Sequence, residues 1–351
     1  MEVIGDKTMS KEQVPTELAG VKNKARKFFF APNPEPRTPN PVRRTFCVAL
    51  FLLLLALCLS CTVNTLVADA LTGQGGGAVF TGDSDPELVG DALPFAIKMY
   101  EALLDSTPKH QGLRLMTGSL FIMYANAFVQ GPADMLPVED WQTRENAHKR
   151  AKQLYLRGQE ILYGALDLKY KDFGKTGADE KAFAALLAKC KKEDAGLLYW
   201  TVAGGLAAYS LDLLDFDLSA KIPAWSMMIK RAYELDPGFG VAALDEFLLL
   251  FYASLPEVMG GDKERAKEHF KKALEKTDGK STSAYISYAQ SICVPAQDYD
   301  GYKDNLEKAL AVDPDADVSS RLVNIINQRK ARWLLDNAYL NFSFLPFPDN
   351  Y

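Results

Sequence analysis

From residue 86 to residue 341, apolar residues recur at three- and four-residue steps, the period of amphipathic helices. No window alternates long enough to make a sheet. The pattern predicts helices over 86–105, 110–130, 140–168, 179–190, 194–214, 222–235, 239–255, 262–276, 280–292, 298–311 and 317–341. The first start is well marked. Asp85 supplies an N-cap acid, Pro86 suits the first helical position, and Glu87 sits near the positive end of the helix dipole.

Several of these segments echo one another. Ala266, Phe270 and Ala273 have the spacing of the second helix of a tetratricopeptide unit. Tyr302, Leu306, Ala309 and Pro314 repeat it, as do Trp225, Ile229, Ala232 and Pro237, and Ala96, Tyr100, Leu103 and Pro108. A small residue lets two helices approach, an aromatic fills the gap beside it, and proline stops the helix before the next hairpin. The steps from Ala232 to Ala273 and from Ala273 to Ala309 are 41 and 36 residues, slightly above the usual period of about 34. The Trp/Leu-Gly/Tyr signature of the first helix is absent. The expected fold class is therefore all-α, with degenerate tetratricopeptide-like repeats; a non-repeating helical bundle is the alternative.

Upstream of the helices the pattern changes. Arg43 and Arg44 precede an uncharged apolar run from Phe46 to Leu59, followed by Ser60-Cys61. A basic region, an apolar core and a small residue at a cleavage point make a secretory signal. The run is short of the roughly 20 apolar residues that span a membrane comfortably. A cysteine directly after the small residue suggests a lipoprotein signal, with Cys61 as the acylated mature N-terminus. The match is imperfect, because Cys58 stands where leucine is usual. An uncleaved anchor stretching to Val63, and cleavage without lipid, are the other readings. The expected organisation is an extension over 1–42, a signal peptide over 43–60, a Gly-rich tether over 61–84 and a helical body over 85–345. The extension reads either as a disordered tail or as sequence upstream of a true start near Val42.

Charge and cysteine content narrow the function. Residues 1–44 hold nine Lys/Arg and five Asp/Glu and residues 45–60 none, so the −5 of the whole chain becomes −9 from Cys61 onward. An acidic body argues against nucleic acid, which needs clustered basic residues, and leaves membrane attachment to acyl chains. With Cys47, Cys58 and Cys61 in the leader, Cys190 and Cys293 are the body's cysteines. Two cysteines make no disulfide framework, and both are expected as buried hydrophobes.

Catalytic patterns are missing. His110, His148 and His269 have no metal-binding spacing, and each is expected to be solvated. Gly73 to Gly77 lacks the Gly-Lys-Ser/Thr of a phosphate loop. Asp313, Asp315 and Asp317 resemble a calcium loop briefly, but Val318 stands where glycine is required and Asn324 where the bidentate acid belongs. They read instead as helix caps. No cofactor, metal or catalytic residue is expected. What the chain does show is aromatic and small-residue density, in GSLFIMYANAFVQGPADMLP (118–137), YWTVAGGLAAYSLDLLDF (199–216) and DEFLLLFYASLP (245–256). Such helices can be core, or can line a cleft. Gly118, Gly204 and Gly205 each cost about 1 kcal/mol in a helix, which close backbone packing or a cavity would explain.

These segments, with VFTGDSDPELVGDALPFAIKMYEALL (79–104), AGGLAAYSLD (203–212), RAYELDP (231–237), ALDEFLLLFYASLPEVMGGDKERAKEHFKKALE (243–275), YISYAQSICVPAQDY (285–299) and RLVNIINQRKARWLLDNA (321–338), closely resemble the TatT family. Its members are T components associated with tripartite ATP-independent periplasmic (TRAP) transporters. The resemblance covers essentially all of 61–341. It implies a helical-repeat homotrimer, each protomer with a central hydrophobic cleft or pore. It further implies a periplasmic, lipid-anchored protein that docks the solute-binding P component and helps pass a hydrophobic or organic-acid solute to the permease. The expected cleft residues are Phe121, Tyr124, Phe128, Trp200, Tyr209, Phe247, Phe251 and Tyr252. The competing readings are a lipoprotein scaffold without a ligand and, more remotely, an envelope hydrolase.

Overall fold

The helices begin and end where side chains can satisfy the free backbone groups. In a computed structural model that describes Thr65, residues 68–72 and residues 77–346, Asp85 accepts from the Leu88 amide at 3.0 Å and caps the helix it was expected to start. Asp179, Asp215, Asp262 and Asp298 cap later helices in the same way. Asp313 and Asp317 are caps too, accepting from the amides of Asp315 and Ser319. All of the described residues fall in one packed unit, Leu55–Tyr351. The extension 1–42, the signal segment 43–60 and Cys61 lie outside the described residues.

The element order is α1 (Ala78–Thr81), α2 (Pro86–Ser106), α3 (Gln111–Tyr124), α4 (Gly131–Asp134), α5 (Trp141–Lys169), α6 (Phe173–Thr176), α7 (Glu180–Leu187), α8 (Ala195–Ser210), α9 (Phe216–Ser219), α10 (Ile222–Leu235), α11 (Ala243–Ser254), α12 (Lys263–Lys276), α13 (Thr282–Tyr288), α14 (Val294–Ala296), α15 (Tyr299–Ala311) and α16 (Arg321–Asp336). The described residues contain no strand, so the fold is all-α. None of their helices is long and apolar enough to cross a membrane.

Two predicted helices, 110–130 and 280–292, are interrupted near their ends by wide π turns at Ala125–Gln130 and Ala289–Cys293. Each is followed by a proline, Pro132 or Pro295. Proline lacks the N–H that would pair with the carbonyl four residues back. Widening the turn shifts the pairing by one residue: the Gly131 amide reaches Asn126 O, and the Val294 amide reaches Ala289 O.

Part of the expected tether is structured. Residues 68–72 and 78–81 are helical, and Ala68 is fully buried with Val89, Leu93 and Ile97 of α2. Composition alone missed this, because Ala68 and Leu71, ahead of the glycines, have an apolar surface of α2 and α3 to cover.

Packing runs in sequence from α2 to α3, α5, α8 and α10, then through α11, α12, α13 and α15 to α16. The last helix returns to the first ones. α16 packs on α1 and α2; Arg321 donates to the Gly82 carbonyl at 3.0 Å, and Arg329 pairs with Glu87. The chain of helix contacts therefore closes on itself. The alanines of the recurring sequence pattern, Ala96, Ala232, Ala273 and Ala309, are all buried.

Candidate functional site

The eight expected cleft residues divide between two packed clusters, with Tyr124 touching both. Phe121, Tyr124 and Phe128 belong with the α2–α3 core. Phe121 is buried beneath the Arg157 guanidinium, 4.9 Å from its ring centre, and Tyr124 accepts from Arg150 and stacks on Phe128. Phe251 and Tyr252 are buried between α11 and α12, where Tyr252 stacks on His269 at 5.7 Å. Tyr209 packs at the edge of the large core. Trp200 and Phe247 do come together, through a residue the sequence reading left out. Tyr199 lies 5.0 Å from Trp200, 5.6 Å from Phe247 and 5.3 Å from Phe239, ring centre to ring centre. Its position beside Trp200 in an aromatic run was the available signal.

The polar neighbour of this half-buried aromatic group is Glu246. Burial pushes the Tyr199 hydroxyl pKa up, and the field of Glu246 adds to it. Burial also raises the Glu246 carboxyl above the usual carboxylate range, against the hydroxyl of Ser281 that donates to it. On α16, burial holds the Lys330 ammonium below the usual lysine range, while Asp134 pulls the other way. All three side chains are only half-buried.

A second polar group is structural and is built on a fully buried acid. Asp245 of α11 accepts from Lys276 and sits 2.7 Å from His269 Nδ1. Burial works against its charge, but His269 and Lys276 overcome this, and its pKa lies below the ordinary value. His269 was expected to be solvated. It is 7% exposed instead, because Asp245 draws it inward between Tyr233 and Tyr252. His148 bonds Asp134 at 2.8 Å, and His110 caps α3 through Nδ1. No cluster among the described residues is arranged to hold a metal ion. Cys190 and Cys293 are free and buried, and burial pushes each thiol up to about 11.

The helix glycines mark close packing. A Cβ on Gly118 would lie 2.9 Å from the Gly158 carbonyl, and one on Gly158 would lie 2.6 Å from the Gly118 carbonyl. α3 and α5 thus touch backbone to backbone. Gly204 meets Ile122, and Gly205 meets Gln159 and Trp225. Of the two explanations open at the sequence level, these contacts select packing.

On the outer surface, Trp141, Arg144, His148, Lys152, Leu211 and Asp212 line an open pocket of about 540 Å³. Lys152 pins the adjoining loop through Asp212 at 2.8 Å and Asp215 at 2.7 Å. That loop and α9 expose Leu213, Leu214 and Phe216, each more than half accessible. Contiguous apolar exposure of this kind is uncommon on a monomer.

Comparison with known proteins agrees with the residues quoted above. A relative from Treponema pallidum (strain Nichols), described as an uncharacterized protein, is 38% identical over 258 residues, covering 73% of this chain and 80% of its own. The family model described as TRAP transporter T-component matches residues 82–342, nearly the whole helical body. The chain belongs to the TRAP transporter T-component family.

Proposed function

We propose that the protein is the membrane-anchored periplasmic accessory component of a TRAP-type transporter. It docks the solute-binding P component and helps pass a hydrophobic or organic-acid solute toward the permease. The observation that carries this reading is the family match over 82–342. The anchor is lipid on Cys61, and the working assembly is a homotrimer. The solute occupies an interior bounded by the closed circuit of helices. The half-buried rings of Tyr199, Trp200, Phe239 and Phe247 support that choice, because together they offer accessible apolar surface.

Pull-down of the tagged protein from its native envelope, followed by native mass spectrometry, tests the proposal. Recovery of a TRAP solute-binding protein is the expected result, and a co-purifying small molecule would identify the cargo. Recovery of envelope-assembly proteins alone would overturn it in favour of a scaffold. Mass spectrometry of the mature N-terminus tests the anchor: a chain beginning at Met1 would refute acylation at Cys61.

A further inference from the structure

α2 is apolar on two sides, and the body of the protein covers one of them. Val89, Leu93, Ala96, Ile97 and Tyr100 are buried in the α2–α3 core. On another face, Leu88, Ala92, Phe95, Met99 and Ala102 recur at alternating steps of four and three residues, and all five are exposed. Phe95 is 75% accessible. At about 100° per residue, the two rows lie roughly a third of a turn apart. α2 runs through Pro94 as one helix, and Pro94 belongs to neither row. A row at these steps is the a and d seam of a coiled coil. It is narrower than the face a helix lays on a core. Its flanking charges, Glu87, Asp91, Lys98 and Asp105, are mostly acidic, unlike the basic flanks of a helix that lies on lipid. These features fit another helix as the partner.

The row is complementary to itself. Set antiparallel on a second copy, Ala92 faces Phe95 of the second copy, and Leu88 faces Met99 of the second copy. Each alanine then gives room to a phenylalanine. A parallel, in-register pairing would set Phe95 on Phe95 and Ala92 on Ala92, a crowded layer beside an empty one. The charges agree with the antiparallel sense. Asp91 and Lys98 are exposed on the solvent side of the row, one heptad apart. Across a two-fold axis, Asp91 of each copy comes beside Lys98 of the other, so the pair forms twice. Lys98 bonds Glu101 at 2.6 Å, but Glu101 is also held by Arg157, so Lys98 can turn outward without stranding that carboxylate.

We infer that the exposed row of α2 pairs with α2 of a second copy, antiparallel about a two-fold axis. This contact is separate from the three-fold assembly proposed above and needs no solute. One helix pair buries less than the roughly 1,200 Å² at which stable complexes begin, so the contact is weak by itself. Tethering copies to one membrane raises their effective concentration, to about the millimolar range, and lets such a contact form.

The test is sedimentation equilibrium of the full chain in detergent over a wide range of concentration. The mass of the basal species, one chain or three, reports the trimer; a further doubling with concentration is the expected result for the α2 contact. Phe95→Glu should abolish the doubling while melting within about 2 °C of the wild type, because Phe95 is exposed. Asp91→Lys and Lys98→Asp should each weaken it about tenfold, since each turns two attractive contacts into two repulsive ones. Combining the two restores the opposite charges at unchanged net charge, and should restore the doubling. No doubling in the wild type, or a combined variant as weak as the single ones, would overturn the inference. Loss of binding to phosphatidylcholine vesicles in Phe95→Glu, with the mass distribution unchanged, would assign the row to a membrane and overturn it too.

Discussion

Gly205→Ala adds one methyl group and should destabilise the protein, although alanine is the better helix former. Gly205 lies inside α8, where α5 and α10 both press on it. An added Cβ would meet Gln159 Nε2 at 2.2 Å, Trp225 Cζ2 at 2.5 Å and Trp225 Cε2 at 2.8 Å. Neither neighbour is free to leave. The Gln159 amide donates to the Thr201 carbonyl at 2.9 Å, and the Trp225 indole donates to Tyr163 Oη at 2.9 Å with its ring fully buried. Overpacking of a well-filled core costs about 1–3 kcal/mol. Displacing the Gln159 bond adds about 1 kcal/mol. Replacing a mid-helix glycine by alanine returns about 1 kcal/mol. The net loss is about 1–3 kcal/mol, a fall in melting temperature of roughly 2–12 °C for a domain of this size. Thermal melting followed by circular dichroism at 222 nm reads it directly. Gly174→Ala is the control: its new Cβ meets Tyr163 at 3.5 Å, an ordinary contact, and it should melt within about 2 °C of the wild type. A Gly205→Ala variant that melts at or above the wild type would show that α8 has slack at this point, and would refute the packing explanation for the helix glycines.

Two further substitutions probe other parts of the fold. Asp245→Asn removes the charge that holds His269 and Lys276, and should cost about 3 kcal/mol at neutral pH. Because the folded pKa of Asp245 lies below its unfolded value, its ionic contribution is present above about pH 4 and lost as pH falls further. The gap between wild type and variant should therefore shrink in acid, and a gap equal at pH 7 and pH 3 would refute the ionic reading. Val241→Asn should stabilise by about 1 kcal/mol. The exposed Val241 is held at φ 61°, a left-handed conformation that a β-branched side chain resists and asparagine tolerates. Urea unfolding checks it, with a higher midpoint expected at unchanged slope.

The parts of this fold that could be read from the chain are those fixed by nearby residues. Asp85 caps α2 through an amide three residues on, and Asp313 and Asp317 cap through amides two residues on, so spacing suffices. Pro132 and Pro295 mark helix ends for the same reason, and what the local pattern lacked was the way a π turn carries the helix past a missing N–H. His269 escaped because its burial is decided by Asp245, 24 residues earlier, and no helical period links them. The candidate interior was harder still. It depends on α16 meeting α2, a contact between Arg329 and Glu87 across 242 residues. Before that closure, Lys330 is one more polar residue on an amphipathic helix. After it, Lys330 is half-buried, and burial holds its ammonium below the usual lysine range. Aromatic density reports packing for the complementary reason. Phe121, Phe251 and Tyr252 fill helix interfaces because large rings bury more apolar area than other side chains. In a closed circuit of amphipathic helices, aromatic rings concentrate wherever packing is tight.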